Sequence, residues 1–71
     1  MKNYFPLTIE LDREEDGRWI ADISDLPGVM VYGNTTDDAI EKIKDLANKV
    51  IQEQQELGER PKDLLISFVI A

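Results

Sequence analysis

Carboxylates are the residues of this 71-residue chain best placed to do chemistry. Glu10 and Asp12 stand two apart, Asp22 follows, and Asp37 and Asp38 are adjacent further on. Clustered carboxylates can hold paired magnesium ions that activate water against a phosphodiester. Glu10 and Asp12 fall on one face of an alternating segment. That face is the polar one, and solvation accounts for it without a metal. Other chemistries lack their residues. The chain has no cysteine and no histidine, which removes thiol nucleophiles, His-based triads and Cys/His zinc sites. No P-loop and no Gly-rich dinucleotide fingerprint is present. We therefore expect no catalytic residues, no cofactor and no metal, and keep a metal-dependent nuclease as the alternative.

The charge balance narrows the partners. Eight basic residues against fifteen acidic ones give a net charge of −7. Phosphate backbones are bound by cations, so direct nucleic-acid binding is not expected, and an anionic membrane surface is disfavoured for the same reason. A basic protein partner suits this sign. No apolar run reaches the ~18 residues of a membrane span. The opening Met-Lys-Asn-Tyr-Phe-Pro-Leu lacks the long apolar core of a secretory signal, so a cytoplasmic protein is expected. At this length one domain, residues 1–71, is expected, with a core small enough that help from a second chain is anticipated.

The elements that must position these residues follow from periodicity. Phe5, Leu7, Ile9 and Leu11 alternate with Pro6, Thr8, Glu10 and Asp12, which predicts a strand with one apolar face. Pro6 cannot donate to a ladder and belongs near the strand start or where its nitrogen faces outward. Arg13-Glu14-Glu15-Asp16-Gly17 reads as a turn. Trp19, Ala21 and Ile23 then alternate with Arg18, Ile20 and Asp22 as a second strand, so the two form a hairpin. Pro27-Gly28 suits the centre of a type II turn, and Val29-Met30-Val31-Tyr32 is a third strand. Thr35 caps a helix, with Asp38 reaching back in capping-box fashion. Its apolar stripe runs through Ala39, Ile40, Ile43, Leu46, Ala47, Val50, Ile51 and Leu57. Gly58 and Pro61 end it. Leu64–Ile70 is a fourth strand, apolar on both sides, as if covered on both. The order β-β-β-α-β predicts an α+β domain. It has one mixed four-stranded sheet in the order 3-2-1-4, a helix on one face and a right-handed crossover into strand four.

Three segments carry a resemblance. Asp16-Gly17-Arg18-Trp19-Ile20-Ala21, Asp25-Leu26-Pro27-Gly28-Val29 and Gly33-Asn34-Thr35-Thr36-Asp37-Asp38-Ala39 occur in this order over nearly the whole chain. Together they resemble the HicB-like antitoxin family. The resemblance implies a partial ribonuclease-H-like fold. It also implies binding and neutralisation of a small basic HicA-like toxin that cleaves messenger RNA. Many such antitoxins carry a C-terminal DNA-binding segment; the chain ends at Ala71, so operator binding is not expected of it. The nuclease alternative becomes one of ribonuclease-H type, and a further alternative is an orphan homo-oligomer without a toxin.

Two groups of residues are expected at interfaces. Asp25, Leu26, Pro27 and Gly28 form a rigid loop, and Trp19 and Tyr32 are aromatic anchors of the type enriched at hot spots. These six are the expected toxin-binding residues, although a tight turn over a buried Leu26 and a core position for Trp19 explain the same residues structurally. The sheet face away from the helix carries Ile20, Met30, Tyr32, Leu65 and Val69, too apolar for open water as one contiguous patch. That face, with Ile20, Met30, Leu65 and Val69 as its oligomer contacts, or the edge of strand four, is expected to pack against another chain as a homo-oligomer.

Overall fold

Apolar alternation produces strands, and the 3.6-residue period a helix, where the residues call for them. The computed structural model describes residues 3–71. It contains β1 (Asn3–Arg13), β2 (Trp19–Ile23), β3 (Met30–Gly33), α1 (Thr36–Glu56) and β4 (Leu64–Ile70). The sheet order is β3-β2-β1-β4, with β1/β2 and β2/β3 antiparallel and β1/β4 parallel. This is the expected α+β arrangement of one mixed sheet and one helix. Leu7, Ile9, Ala21, Ile23, Leu26 and Val29 form a single core with Ala39, Ile43, Ala47 and Ile51 of α1.

Local chemistry closes the turns. Gly17 has φ 93° and donates to the carbonyl of Glu14, while Glu14 donates to the carbonyl of Arg18. The second connection is a double turn. Leu26 N–H donates to Ile23 C=O and Val29 N–H to Leu26 C=O, with Gly28 at φ 83°, the type II geometry that Pro27-Gly28 predicts. At the end of α1, Gly58 donates to Gln55 C=O and Glu59 to Gln54 C=O, the paired bonds of a Schellman cap. Thr35 Oγ1 accepts from Asp38 N–H at 3.0 Å. The reciprocal bond lands one residue earlier than a capping box places it: Asp38 Oδ2 accepts from Asn34 N–H at 3.1 Å.

β1 is paired along two different halves of its length. Its residues Asn3–Ile9 lie beside β4, and Ile9–Arg13 lie beside β2, so only Ile9 has both neighbours. The first half of β1 and β4 therefore form a two-stranded ribbon that extends beyond the rest of the sheet. The molecule is correspondingly long, 43 × 20 × 16 Å. On the helix side of this ribbon the guanidinium of Arg60 sits 4.4 Å from the Phe5 ring and the ammonium of Lys44 5.6 Å from Phe68. Cationic heads over rings thus cover part of what aliphatic side chains cover elsewhere.

Two expectations change here. β4 is an edge strand with no residue fully buried, and Leu65, Val69 and Ile70 are exposed. Its two apolar faces do not arise from cover on both sides. Leu57, read as the end of the helical stripe, is the C-cap residue and is exposed, because the chain has already begun to turn away.

Gly33 matters for its missing side chain. A Cβ there would stand 2.5 Å from Ala39 N and 2.7 Å from Ala39 Cα, backbone atoms of the first helical turn. The helix start lies directly on the end of β3, and only glycine permits that approach. Gly33→Ala should destabilise the fold by roughly 1–3 kcal/mol, because backbone must move. Gly28→Ala, which meets no atom within 4 Å, should act only through its positive φ; denaturant unfolding of both variants measures the contrast.

The cap also sets an acid-side response. The Asn34 N–H, then the Lys42 ammonium 3.1 Å away, hold the Asp38 carboxyl below its ordinary value of 3.8. A depressed carboxylate contributes stability that is present above its unfolded value and lost as pH falls through the folded one. Asp38→Asn should therefore flatten the fall in stability below pH 3.8 and leave the neutral-pH slope unchanged. A variant with the same acid slope as the parent would contradict this.

Candidate functional site

The face of the sheet away from α1 is built by the even-numbered residues of β1 and β2, and its rows follow from the register. Tyr32 lies beside Ile20, which lies beside Asp12; Met30 lies beside Asp22, which lies beside Glu10. Further along β1, Thr8 lies beside Val69, Pro6 beside Ser67 and Tyr4 beside Leu65. Carboxylates thus occupy the middle of the face. Glu10 and Asp22 are directly opposite one another, with Asp12 two residues along the same strand face. Like charges placed so oppose sheet formation. Neither Glu10, Asp12 nor Asp22 takes part in an ion pair among the described residues. Together with Ile20 and Met30 they line a depression in the sheet surface.

One rim of this depression is aromatic and cationic. The Arg18 guanidinium lies 4.5 Å from the centre of the Tyr32 ring and is held there by Asp16 Oδ2 at 2.7 Å. The Arg18 backbone N–H, then its guanidinium, keep the Asp16 carboxyl below its ordinary value. Tyr32 is thereby fixed as a flat, 42% exposed platform beside Ile20. The opposite rim is the Pro27-Gly28 turn, which shares a second depression with Asp22 and Met30.

The structure separates some residues that the sequence reading grouped. Asp25, Pro27 and Gly28 are exposed at the tip of the loop, whereas Leu26 is 2% exposed and anchors that loop from within the core. Asp25 turns back onto the sheet, where its carboxylate accepts from Thr8 N–H at 3.4 Å. Trp19 lies on the helix side, opposite Gly33 and under the Arg13 guanidinium, 5.5 Å from its ring. It is half-buried there and does not share a face with Tyr32.

The four residues expected at an oligomer face do share the open face, but in two groups. Ile20 and Met30 lie on the β2–β3 side, Leu65 and Val69 on β4, and Glu10, Asp12 and Asp22 stand between them. The contiguous apolar patch is therefore two patches divided by charge. The Glu10–Asp22 pairing escaped the sequence reading: counting equally from a turn at Arg13–Gly17 sets Glu10 opposite Ile20, whereas the loop that closes is Glu14–Arg18 and shifts the register by two.

Among the described residues, no group of three or more acidic side chains is arranged to hold a metal ion. Asp38 is occupied by the helix cap. No helix among the described residues is long and apolar enough to cross a membrane.

Comparison with known proteins adds one assignment. No curated protein and no solved structure matches the chain. A family described as a domain of unknown function, DUF1902, matches residues 6–69, from Pro6 in β1 to Val69 in β4. The match spans every strand, the helix and both faces of the sheet, and the chain belongs to the DUF1902 family.

Proposed function

We propose that this chain is an antitoxin that binds and neutralises a small basic HicA-like toxin, an enzyme that cleaves messenger RNA. The observation that carries the reading is the row of unpaired carboxylates Glu10, Asp12 and Asp22, flanked by exposed Met30 and Tyr32. Carboxylates set against each other across a sheet cost stability in the isolated chain. A cationic partner turns that cost into attraction, since its lysines and arginines would pair with all three. The neighbouring apolar side chains supply the desolvated contacts that hold a complex once charge has brought it together. The net charge of −7 acts in the same direction at longer range.

The three segments that resemble HicB-like antitoxins bear on this surface. Asp16–Ala21 contributes Arg18 and Ile20, and Asp25–Val29 forms the rim next to Met30. The third segment, Gly33–Ala39, seats the helix behind the sheet. On this reading inhibition is steric, with the acidic face covering the cationic surface by which the toxin grips RNA. The chain transforms no molecule itself, works in the cytoplasm beside its target, and self-associates.

The test is direct. Mixed with the basic product of the adjacent reading frame, the chain should stop its RNA cleavage at stoichiometric amounts, with affinity falling steeply as salt rises. Asp22→Asn should raise the stability of the free chain by about 0.2–1 kcal/mol while weakening the complex on the order of ten-fold at low salt. Binding that ignores ionic strength, Asp22→Asn losing both stability and affinity, or magnesium-dependent RNA cleavage by the chain alone would overturn the reading.

A further inference from the structure

We propose that two copies of this chain pair through the outer edge of β4, antiparallel about a two-fold axis at Ser67, to make one continuous eight-stranded sheet. Sheet edges offer unpaired N–H and C=O groups to any passing strand, and folded proteins guard them. Four stretches of sheet edge are open here among the described residues, and three are guarded; one is the β4 side of β1 beyond Ile9, only four residues long with three of them charged. β3 is only four residues long. The outer side of β1 is closed by the Asp25 carboxylate on Thr8 N–H and by Pro6, whose nitrogen, two residues away, points the same way. β4 has no such device. Leu-Leu-Ile-Ser-Phe-Val-Ile contains no charge, no proline and no glycine, in a chain where 32% of residues are charged.

The backbone sets which groups face outward. Ala71 N–H donates to Ile9 C=O, so by alternation Val69, Ser67 and Leu65 direct their backbone groups toward β1. Leu64, Ile66, Phe68 and Ile70 direct theirs away from the sheet. A two-fold at Ser67 brings Ile66 opposite the second copy's Phe68 and Leu64 opposite its Ile70. These are the hydrogen-bonded pairs of an antiparallel ladder. On the open face the same operation sets Leu65, 40% exposed, opposite Val69, 52% exposed. Each exposed apolar side chain then faces another. An axis perpendicular to the sheet keeps both helices on one side, so Ile70, 51% exposed, is covered as well.

The charge pattern, the self-matching of exposed Leu65 with Val69 and the extended shape select a second copy as the occupant. Two chains of net charge −7 repel wherever acidic faces meet, and β4 is an uncharged strip along which they can approach. The chain exposes 4984 Å² at a mass of 8.1 kDa, where a compact monomer of that mass exposes about 4,500 Å². Its radius of gyration is 13.0 Å, against about 11 Å for a compact domain of this length. The two-stranded ribbon of Asn3–Thr8 and β4, which no third strand joins, is a form that is marginal in isolation.

The experiment uses the full chain at micromolar concentration in an analytical ultracentrifuge. The parent should sediment as two chains. Leu65→Glu and Val69→Lys, both exposed positions, should each retain the parent's circular dichroism and raise the dimer dissociation constant at least ten-fold. Because residue 65 faces residue 69 of the other copy, mixing the two variants should restore a mixed dimer. A parent that stays monomeric, a dimer indifferent to both variants, or a mixture that stays monomeric would overturn the proposal.

Discussion

The structure depends on the divided pairing of its central strand. β1 is eleven residues long, but β2 reaches only its second half and β4 only its first, with Ile9 shared. Around that residue the core is complete: Leu7, Ile9 and Ile23 are almost fully buried against Ile43, Ala47 and Ile51. Away from it, each half of β1 has a strand on one side only. The half toward Arg13 carries the hairpin and the acidic row. The half toward Asn3 carries the ribbon with its uncharged edge. The two surface features of the molecule are thus two ends of one strand.

The proposed function rests on how those ends differ. At the hairpin end, Glu10 and Asp22 are forced together by register, and nothing among the described residues neutralises them. A sheet tolerates this arrangement at some cost in stability, and such local conflicts are expected where a surface serves a partner. At the ribbon end the conflict is of a different kind, with apolar side chains and unpaired backbone groups facing water along β4. One end suits a partner of opposite charge, and the other suits a partner of the same sequence. Occupying both at once requires no compromise, because Met30 and Val69 stand on opposite edge strands of the sheet.

Much of the fold was legible from residue patterns. Alternation in Phe5–Leu11 and Trp19–Ile23, the Pro27-Gly28 turn and the Thr35 cap all act locally, so short-range rules suffice for them. Strand order also followed, because one helix between strands three and four leaves few ways to return. What escaped was long-range. The two-sided apolarity of Leu64–Ile70 reads the same for a buried strand and for an edge awaiting a partner, and only the sheet separates them. The need for glycine at Gly33 is not legible, since nothing in its neighbours announces that the Ala39 backbone lies against it. The opposite faces of Trp19 and Tyr32 were legible, since alternation sets Trp19 with Ala21 and Ile23 and Tyr32 with Ile20 and Met30.

The proposed function requires that the open face, not the helix side, meet a cationic protein. The decisive measurement is of backbone amide shifts of the labelled chain, recorded as a small basic HicA-like protein is added. Shifts should concentrate at Glu10, Asp12, Ile20, Asp22, Met30 and Tyr32 and fade as salt is raised. Shifts confined to Trp19 and the outer surface of α1, or none at saturating partner, would contradict it.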